Sequence, residues 1–324
     1  MFDIVFLGTS ASAPSIHRGL PAQIVMAGEY RFLVDCGEGT QRQIFRSGVG
    51  FKRLNRILLT HGHLDHILGL GGLISTFARW ESIEDIEIWG GRTTLDRVDA
   101  LLYGVVLQYE KLPIRIHFRE LKPGIIFQAD DFSVSAFPVT HRGSGNFGFV
   151  FQEVSHRPFV VEKAEALGVP AGPERSLLVR GENVILANGQ VITPDMVLAD
   201  EIPGVRLVYI GDVGRTDNIR EHVMNADALA IEATFLESEA EEASYFGHIT
   251  ARQAATLAAE NGVKTLLLTH VSRRYRERDI VSEARQVFPN TFVARDLEHY
   301  VLRRGRPVEK KLATADEEET IKES

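Results

Sequence analysis

"LLTHGHLDHILGLGG", Leu58–Gly72, places His61, His63, Asp65 and His66 within six residues, between an apolar run and a glycine-rich turn. A packed core gains nothing from buried imidazoles, because a polar nitrogen taken out of water costs free energy unless it is partnered. Such a crowd of lone pairs suits a divalent cation, for which neutral imidazole and carboxylate are ordinary ligands. His61 and His63 are two positions apart, so an extended or turning backbone can aim both at one point. Asp65 and His66 follow on a tight turn and can face a second point. A catalytic ion takes about three protein ligands and keeps one position open. Four donors in one segment, with more downstream, therefore point to two ions. Two ions ~3.5–4 Å apart activate water and stabilise both the attacking and the leaving oxygen.

The segment that delivers this cluster, "RILLTH", reads as a buried strand, and the same pattern recurs along the chain. Thr140-His141, Gly211-Asp212 and Thr269-His270 each close an apolar run, so His141, Asp212 and His270 are the candidates to complete the metal set. Runs such as "FDIVFLG", "RFLVDCG", "FSVSAFPVTH", "VRLVYIGDVG" and "ADALAIEATF" are short, apolar and rich in β-branched residues, as strands are. "GTQRQIFRSG", "TTLDRVDALLYGVV", "TARQAATLAAENG" and "RDIVSEARQVF" read as helices, with Thr250 placed to cap the third and Gly262 to stop it. Alternating strands and helices define an α/β protein. Loops at the ends of strands on a rigid sheet are the usual place for a site.

Composition sets the outer limits. The 324 residues, 44% of them hydrophobic, bury a large core, and no run of 18 or more apolar residues marks a transmembrane helix. The N-terminal stretch "MFDIVFLGTSASAPS" has no basic region before its apolar residues and reads as a strand and loop rather than a signal peptide. Cys36 is the single cysteine, which fits a reducing, cytoplasmic setting. The formal charge of −8 argues against a generally basic surface, so any polyanion site must be local. Part of the negative charge lies in residues 309–324, six acids against three lysines, expected to be a disordered acidic tail.

The H-x-H-x-D-H motif followed by distant His, Asp and His resembles the metallo-β-lactamase superfamily. The resemblance implies a four-layer αβ/βα sandwich. It also implies a zinc held by His61, His63 and His141, a second held by Asp65, His66 and His270, and Asp212 bridging them. Zn²⁺, Mn²⁺ and Fe²⁺ all accept such ligands. Within that superfamily, "FLGTSASAPS", "VDCGEGTQRQI", "IEATF", "GHITARQAA" and "HVSRRY", in this order, look like the ribonuclease Z family, whose members mature the 3′ ends of transfer RNA. That likeness implies Asp65 as general base and His248 as a proton donor or phosphate clamp oriented by Glu232. It further implies precursor tRNA as the partner and a homodimer as the assembly. Where the family often has a histidine before the glutamate this chain has Ile231, and Val213-Gly214 displace Arg215 from the usual Gly-Asp-Thr-Arg spacing. Arg273, Arg274 and Tyr275, just after His270, fit phosphate binding. Arg42, Arg46, Lys52, Arg53 and Arg56 form another basic group near the histidines.

Residues 154–203 change character, with Pro and Gly punctuation and no long periodic helix. About fifty residues between two strands are too many for a structureless loop, which implies a protruding subdomain inserted in a catalytic domain that spans residues 1–308. The family carries an RNA-gripping arm here, and Gly172-Pro173 resembles its Gly-Pro segment. Two other readings stay open: a small-molecule phosphodiesterase or related hydrolase of the same fold, and a non-catalytic RNA-binding protein with a structural zinc.

Overall fold

The computed structural model describes residues 1–80, 83–107 and 114–311. The strands in chain order are β1 (Phe2–Gly8), β2 (Ala22–Ala27), β3 (Tyr30–Val34), β4 (Arg56–Leu58), β5 (Asp85–Gly90) and β6 (Arg115–Glu120), then β7 (Gly124–Gln128), β8 (Phe132–Pro138) and β9 (Phe147–Glu153). A short hairpin, β10 (Val184–Ile185) and β11 (Val191–Ile192), precedes β12 (Arg206–Tyr209), β13 (Ala228–Glu232), β14 (Leu266–Thr269), β15 (Thr291–Val293), β16 (His299–Leu302) and β17 (Glu309–Lys311). An eight-stranded sheet runs β17-β16-β1-β2-β3-β4-β5-β6, and a seven-stranded one runs β15-β14-β13-β12-β9-β8-β7.

Period-two alternation explains the layers. Phe32 and Val34 of β3 share one core with Phe149, Phe151, Leu207 and Tyr209 of the other sheet, which closes the two sheets face to face. Edge-to-face aromatic pairs cross this interior, Phe2 with Phe132 at 5.8 Å and Phe32 with Phe151 at 5.6 Å. Leu33, between Phe32 and Val34, faces the opposite way into a core with Ile44, Leu73 and Phe77 from the helices Thr40–Arg46 and Leu70–Trp80. On the far side, Leu229 and Ile231 of β13 pack with Ala254, Ala255 and Leu257 of the helix Ala251–Glu260. The result is helix, sheet, sheet, helix: the αβ/βα sandwich. Ile231 is fully buried in that last core.

Strands β3 to β6 run parallel to one another, as do β12 to β15. Their carboxyl ends therefore gather on one edge of each sheet, the place where open α/β sheets bind ligands. The helix Ala251–Glu260 begins with a capping box, Thr250 Oγ1 accepting from Gln253 N at 3.1 Å.

The chain divides into two compact units, residues 1–152 with 205–324, and residues 153–204. The second unit holds the helices Val161–Ala166, Pro173–Val179 and Pro194–Val197 and the β10–β11 hairpin. Its elements close over a small core of Ala164, Val169, Leu178, Val184, Ile192, Val197 and Leu198. Two of its helices start on proline, whose fixed φ suits the first turn.

The expected tail is corrected at its first residues: Glu309–Lys311 pair antiparallel with β16, and Lys310 Nζ reaches Glu298. A charged strand with both faces in water has no apolar alternation, so composition alone reads it as tail. Residues 312–324, the rest of that tail, lie outside the described residues. Among the described residues no helix is long and apolar enough to cross a membrane.

Candidate metal centre

Four of the seven donors sit just after a strand stops. β4 ends just before Thr60-His61, β8 before His141, β12 before Asp212 and β14 before His270. His63 precedes a single helical turn, Leu64–Ile67, which carries Asp65 and His66. Asp35, following β3, and His270 both adopt positive φ, +57° and +52°. Such strained backbone in non-glycine residues collects at functional sites.

The donors converge in two groups. His61 Nε2 lies 2.9 Å from His63 Nδ1, and His141 Nε2 lies 3.3 Å from the same atom. Asp212 Oδ2 is 3.6 Å from His61 Nε2 and 3.7 Å from His141 Nε2. Its other oxygen, Oδ1, stands 3.5 Å from His66 Nε2 and 3.3 Å from His270 Nε2. Asp65 Oδ2 completes this second group at 3.8 Å and 3.7 Å from the same two nitrogens. Ligands placed 2.0–2.1 Å from a tetrahedral ion are about 3.3 Å apart, the spacing seen here. His66 Nε2, His270 Nε2 and Asp212 Oδ1 are buried without hydrogen-bond partners. Buried polar atoms are ordinarily satisfied, so these three fit a cation.

The far nitrogen of each buried imidazole is held. His66 Nδ1–H donates to Asp35 Oδ2 at 2.8 Å, and His141 Nδ1–H donates to the Gly247 carbonyl at 2.7 Å. Thr60 Oγ1 donates to Asp35 and stands 3.0 Å from His61 Nδ1, which leaves it to accept from that imidazole. Thr234 Oγ1 stands 2.8 Å from His270 Nδ1 and also reaches Glu232. Each contact turns the Nε2 lone pair toward the centre. The close approach needs glycine: a Cβ on Gly211 would fall 2.8 Å from Thr60 Oγ1.

Burial holds His61, His63 and His141 below the ordinary imidazole range, which keeps their lone pairs free. Burial acts the same way on His66, but the carboxylates of Asp212 and Asp35 outweigh it and raise that group. Burial works to raise the carboxyls of Asp65 and Asp212. The His270 and His66 imidazoles prevail, and both stay well below the usual carboxylate range.

Beside the two groups lies a pair of a different kind. Glu232, fully buried at the end of β13, accepts from Val213 N at 2.6 Å and sits 3.1 Å from His248 Nδ1 through either oxygen. Burial pushes His248 down, but Glu232 more than offsets it and lifts the imidazole to about 9. His248 faces a cleft of about 510 Å³ that also exposes His63, Asp65 and Asp212. Ser12, Arg142, Phe246, Arg273 and Arg274 line it too. Asp65 Oδ2 accepts from Ser12 N at 3.1 Å.

The structure gathers some of the residues singled out in the sequence and separates others. His61, His63, His66, Asp65, His141, Asp212 and His270 come together, and Glu232 meets His248. Arg273 and Arg274 border the cleft, whereas Tyr275 packs its ring against the helical core and does not line it. Tyr275 directly follows the two exposed arginines in a turn that swings its side chain to the inner side, which residue type alone does not reveal. Arg215, displaced by Val213-Gly214, is exposed and pairs with Asp217 at 2.7 Å. Gly172 and Pro173 open the helix Pro173–Val179 of the second unit. Asp35, Thr60, Thr234 and Gly247 act as partners of the histidines without a sequence pattern of their own. A carboxylate ending a strand, in "LVDCG", was the one available signal.

An αβ/βα sandwich with a histidine–aspartate cluster at its strand ends defines a divalent-metal hydrolase of the metallo-β-lactamase fold. A family profile described as "Beta-lactamase superfamily domain" matches residues 172–271, and one described as "Anti-Pycsar protein Apyc1" matches residues 2–159. The chain is 46% identical to Ribonuclease Z of Bradyrhizobium diazoefficiens over 93% of its own length and all of that protein. It is 41% identical to Ribonuclease Z of Archaeoglobus fulgidus, covering 91% of this chain and 96% of that one. The crystal structure of human tRNase Z, short form, superposes with a TM-score of 0.65 at 26% identity, over 93% of this chain and 99% of that one. The chain belongs to the ribonuclease Z family.

Proposed function

We propose that the centre described above is the active site with which this chain, an endoribonuclease that processes tRNA 3′ ends, removes the 3′ trailer of precursor tRNA. The observation that carries the reading is the buried Glu232–His248 pair facing the same cleft as the ligand cluster. A bare metal cluster serves many hydrolyses; an oriented imidazole beside it suits a reaction with a poor alkoxide leaving group.

In this reading two Zn²⁺ ions bind per subunit, one at His61, His63 and His141 and one at Asp65, His66 and His270, with Asp212 shared. When bound, they supply Lewis-acid stabilisation of phosphate charge and make water acidic enough to attack at neutral pH. Asp65, held by Ser12 N–H, takes the proton of the attacking water. The new P–O bond forms as the bond to the tRNA 3′ oxygen breaks, which leaves a 3′-hydroxyl on the tRNA and a 5′-phosphate on the trailer. Glu232 holds His248 through Nδ1, so that Nε2–H is directed at the leaving oxygen. Arg273 and Arg274 at the rim suit the phosphates of the strand.

The unit 153–204 serves as the arm that grips tRNA away from the cut, with Gly172-Pro173 in its contact surface. Its arginines are largely engaged at home, Arg157 with Asp195, Arg175 with Glu165 and Arg180 with Glu182, which favours recognition by shape over charge. A homodimer, in which the arm of one subunit serves the other, and a cytoplasmic setting consistent with the single buried cysteine belong to the same reading.

Incubation with a defined 3′-extended tRNA tests the assignment. Wild-type protein cuts once at the tRNA–trailer junction, and His248→Ala lowers kcat by about 10²–10⁴-fold with tRNA affinity retained. A 5′-hydroxyl on the trailer, or an undiminished kcat in the variant, would refute it.

A further inference from the structure

A second cleft, about 860 Å³ and larger than the metal cleft, lies behind the loop Ser12–Gly19. One loop forms both walls: Ala11, Ser12 and Ala13 face the metal cleft, and Pro14 through Leu20 face the other. The loop is pinned at its base. Ser12 N–H binds Asp65, Ala11 N–H binds the Val271 carbonyl at 3.1 Å, and Arg18 binds Thr9, the Ala294 carbonyl and Glu277. Its tip, Pro14 to His17, stands in solvent, with Ile16 93% exposed.

The opposite wall is the helix Thr40–Arg46, which turns Arg42, Phe45 and Arg46 outward. Arg42 and Arg46 belong to the basic group noted near the histidines, and the structure divides that group. Arg53 and Arg56 are matched by Glu29 and Glu87. Arg42 and Arg46 line the cleft, where, among the described residues, Arg46 hydrogen-bonds only the neutral Gln43 side chain. Of the acids at this cleft, Asp296 is occupied by Gly19 N, Thr9 and Gln43, which leaves Glu38 as the one exposed carboxylate. Phe45 is 51% exposed and braced edge-to-face on Phe51 at 4.8 Å. A half-exposed, braced phenylalanine flanked by two guanidiniums is the pairing that binds single-stranded nucleic acid without reading its sequence: the ring stacks a base, and the cations follow the backbone.

We propose that this second cleft holds the single-stranded 3′ extension of the substrate, downstream of the cut. The inference rests on the function proposed above. There His248 marks the side of the leaving oxygen, which belongs to the tRNA. The trailer keeps the phosphate and departs past Asp65 and Ser12, over the loop and into the cleft that Arg42, Phe45 and Arg46 line. The chain thus recognises a trailer by charge and stacking, whatever its sequence, and binds longer extensions more tightly than short ones.

The test compares precursors with a one-nucleotide trailer and a trailer of about ten nucleotides, a length that spans a typical single-strand site. The variants are Arg42→Ala/Arg46→Ala, both exposed, and, separately, Phe45→Leu, which removes the aromatic ring while keeping an apolar side chain against Phe51 of the core. The double variant is expected to lose about tenfold in kcat/KM on the long trailer, through KM, and to match wild type on the short one. Its salt dependence on the long trailer should fall by about 1.4 in log–log slope, at roughly 0.7 per lost phosphate contact on a single strand. Equal losses on both precursors, or none on either, overturn the trailer subsite while leaving the proposed function intact. If wild type cuts neither precursor, the function fails and the subsite with it.

Discussion

His141 leans on a neutral group, the Gly247 carbonyl, and His61 on the Thr60 hydroxyl, which itself reaches the Asp35 carboxylate. His270 leans on a hydroxyl that itself reaches the carboxylate of Glu232; of the four, only His66 meets a carboxylate directly, that of Asp35. The two halves of the centre share Asp212 but differ in what stands behind the ligands. A carboxylate behind an imidazole raises its basicity and tightens the metal bond. The half with Asp65, His66 and His270 also has an anionic ligand of its own, whereas the other half relies on three neutral imidazoles, one of them, His63, only half-buried. The comparison teaches that the centre is graded: one half anchors, the other stays nearer water.

Asp35→Asn should produce the largest effect. Asp35 is fully buried and accepts from Thr60 N, the Thr60 hydroxyl and His66. The amide keeps an oxygen for Thr60 but turns an N–H donor toward His66 Nδ1–H, so the damage falls on the anchoring half. Removing such an outer partner costs about 10–100-fold in metal affinity or activity. With two ions bound as proposed above, metal content and activity followed through a chelator series should show the anchoring half weakened to the level of the other, so that two release phases merge into one. Equal weakening of both halves would break the comparison.

Thr234→Val should come next. The hydroxyl accepts from His270 and donates to Glu232, so it ties the anchoring half to the pair that holds His248. Its loss removes about 1–1.5 kcal/mol of hydrogen bonding, roughly tenfold in activity. Thr234→Ser, which keeps the hydroxyl, should restore most of it. If valine lowers kcat without changing metal affinity, Thr234 serves His248 alone, and the contrast between the halves narrows to Asp35.

How much of this was legible in the sequence follows from what each residue is set by. The candidate donors announce themselves: four crowd into six residues, and the others end apolar runs, so local pattern and strand periodicity suffice. The partners behind them do not. Asp35 meets His66 only because β3 and β4 are parallel neighbours, and Thr234 meets His270 only because β13 and β14 are. A lone hydroxyl or a backbone carbonyl at a strand end carries no sequence signature. The same limit hid the inward turn of Tyr275 and the edge strand Glu309–Lys311. The helices of residues 153–204 are too short, four to seven residues, to show a helical period.

Gly247→Ala probes the more open half and should have the smallest effect. Gly247 ends the helix Ala240–Phe246 at φ +76°, a left-handed conformation that costs an L-residue about 1 kcal/mol. An added Cβ would lie 3.2 Å from Arg142 Cγ, the flexible stem of an exposed side chain, and 3.4 Å from His141 Nδ1. The carbonyl that receives His141 is backbone and survives the substitution, so the ligand keeps its partner in a slightly shifted position. Thermal unfolding should drop by about 2–4 °C, with activity within a few-fold of wild type. Gly247→Asn, which tolerates the left-handed region, should cost less than alanine. A loss of metal from the His61, His63 and His141 half as large as that caused by Asp35→Asn in the other would show that a carbonyl 2.7 Å from an imidazole orients a ligand as firmly as a carboxylate does. The grading of the centre would then rest on Asp65 alone.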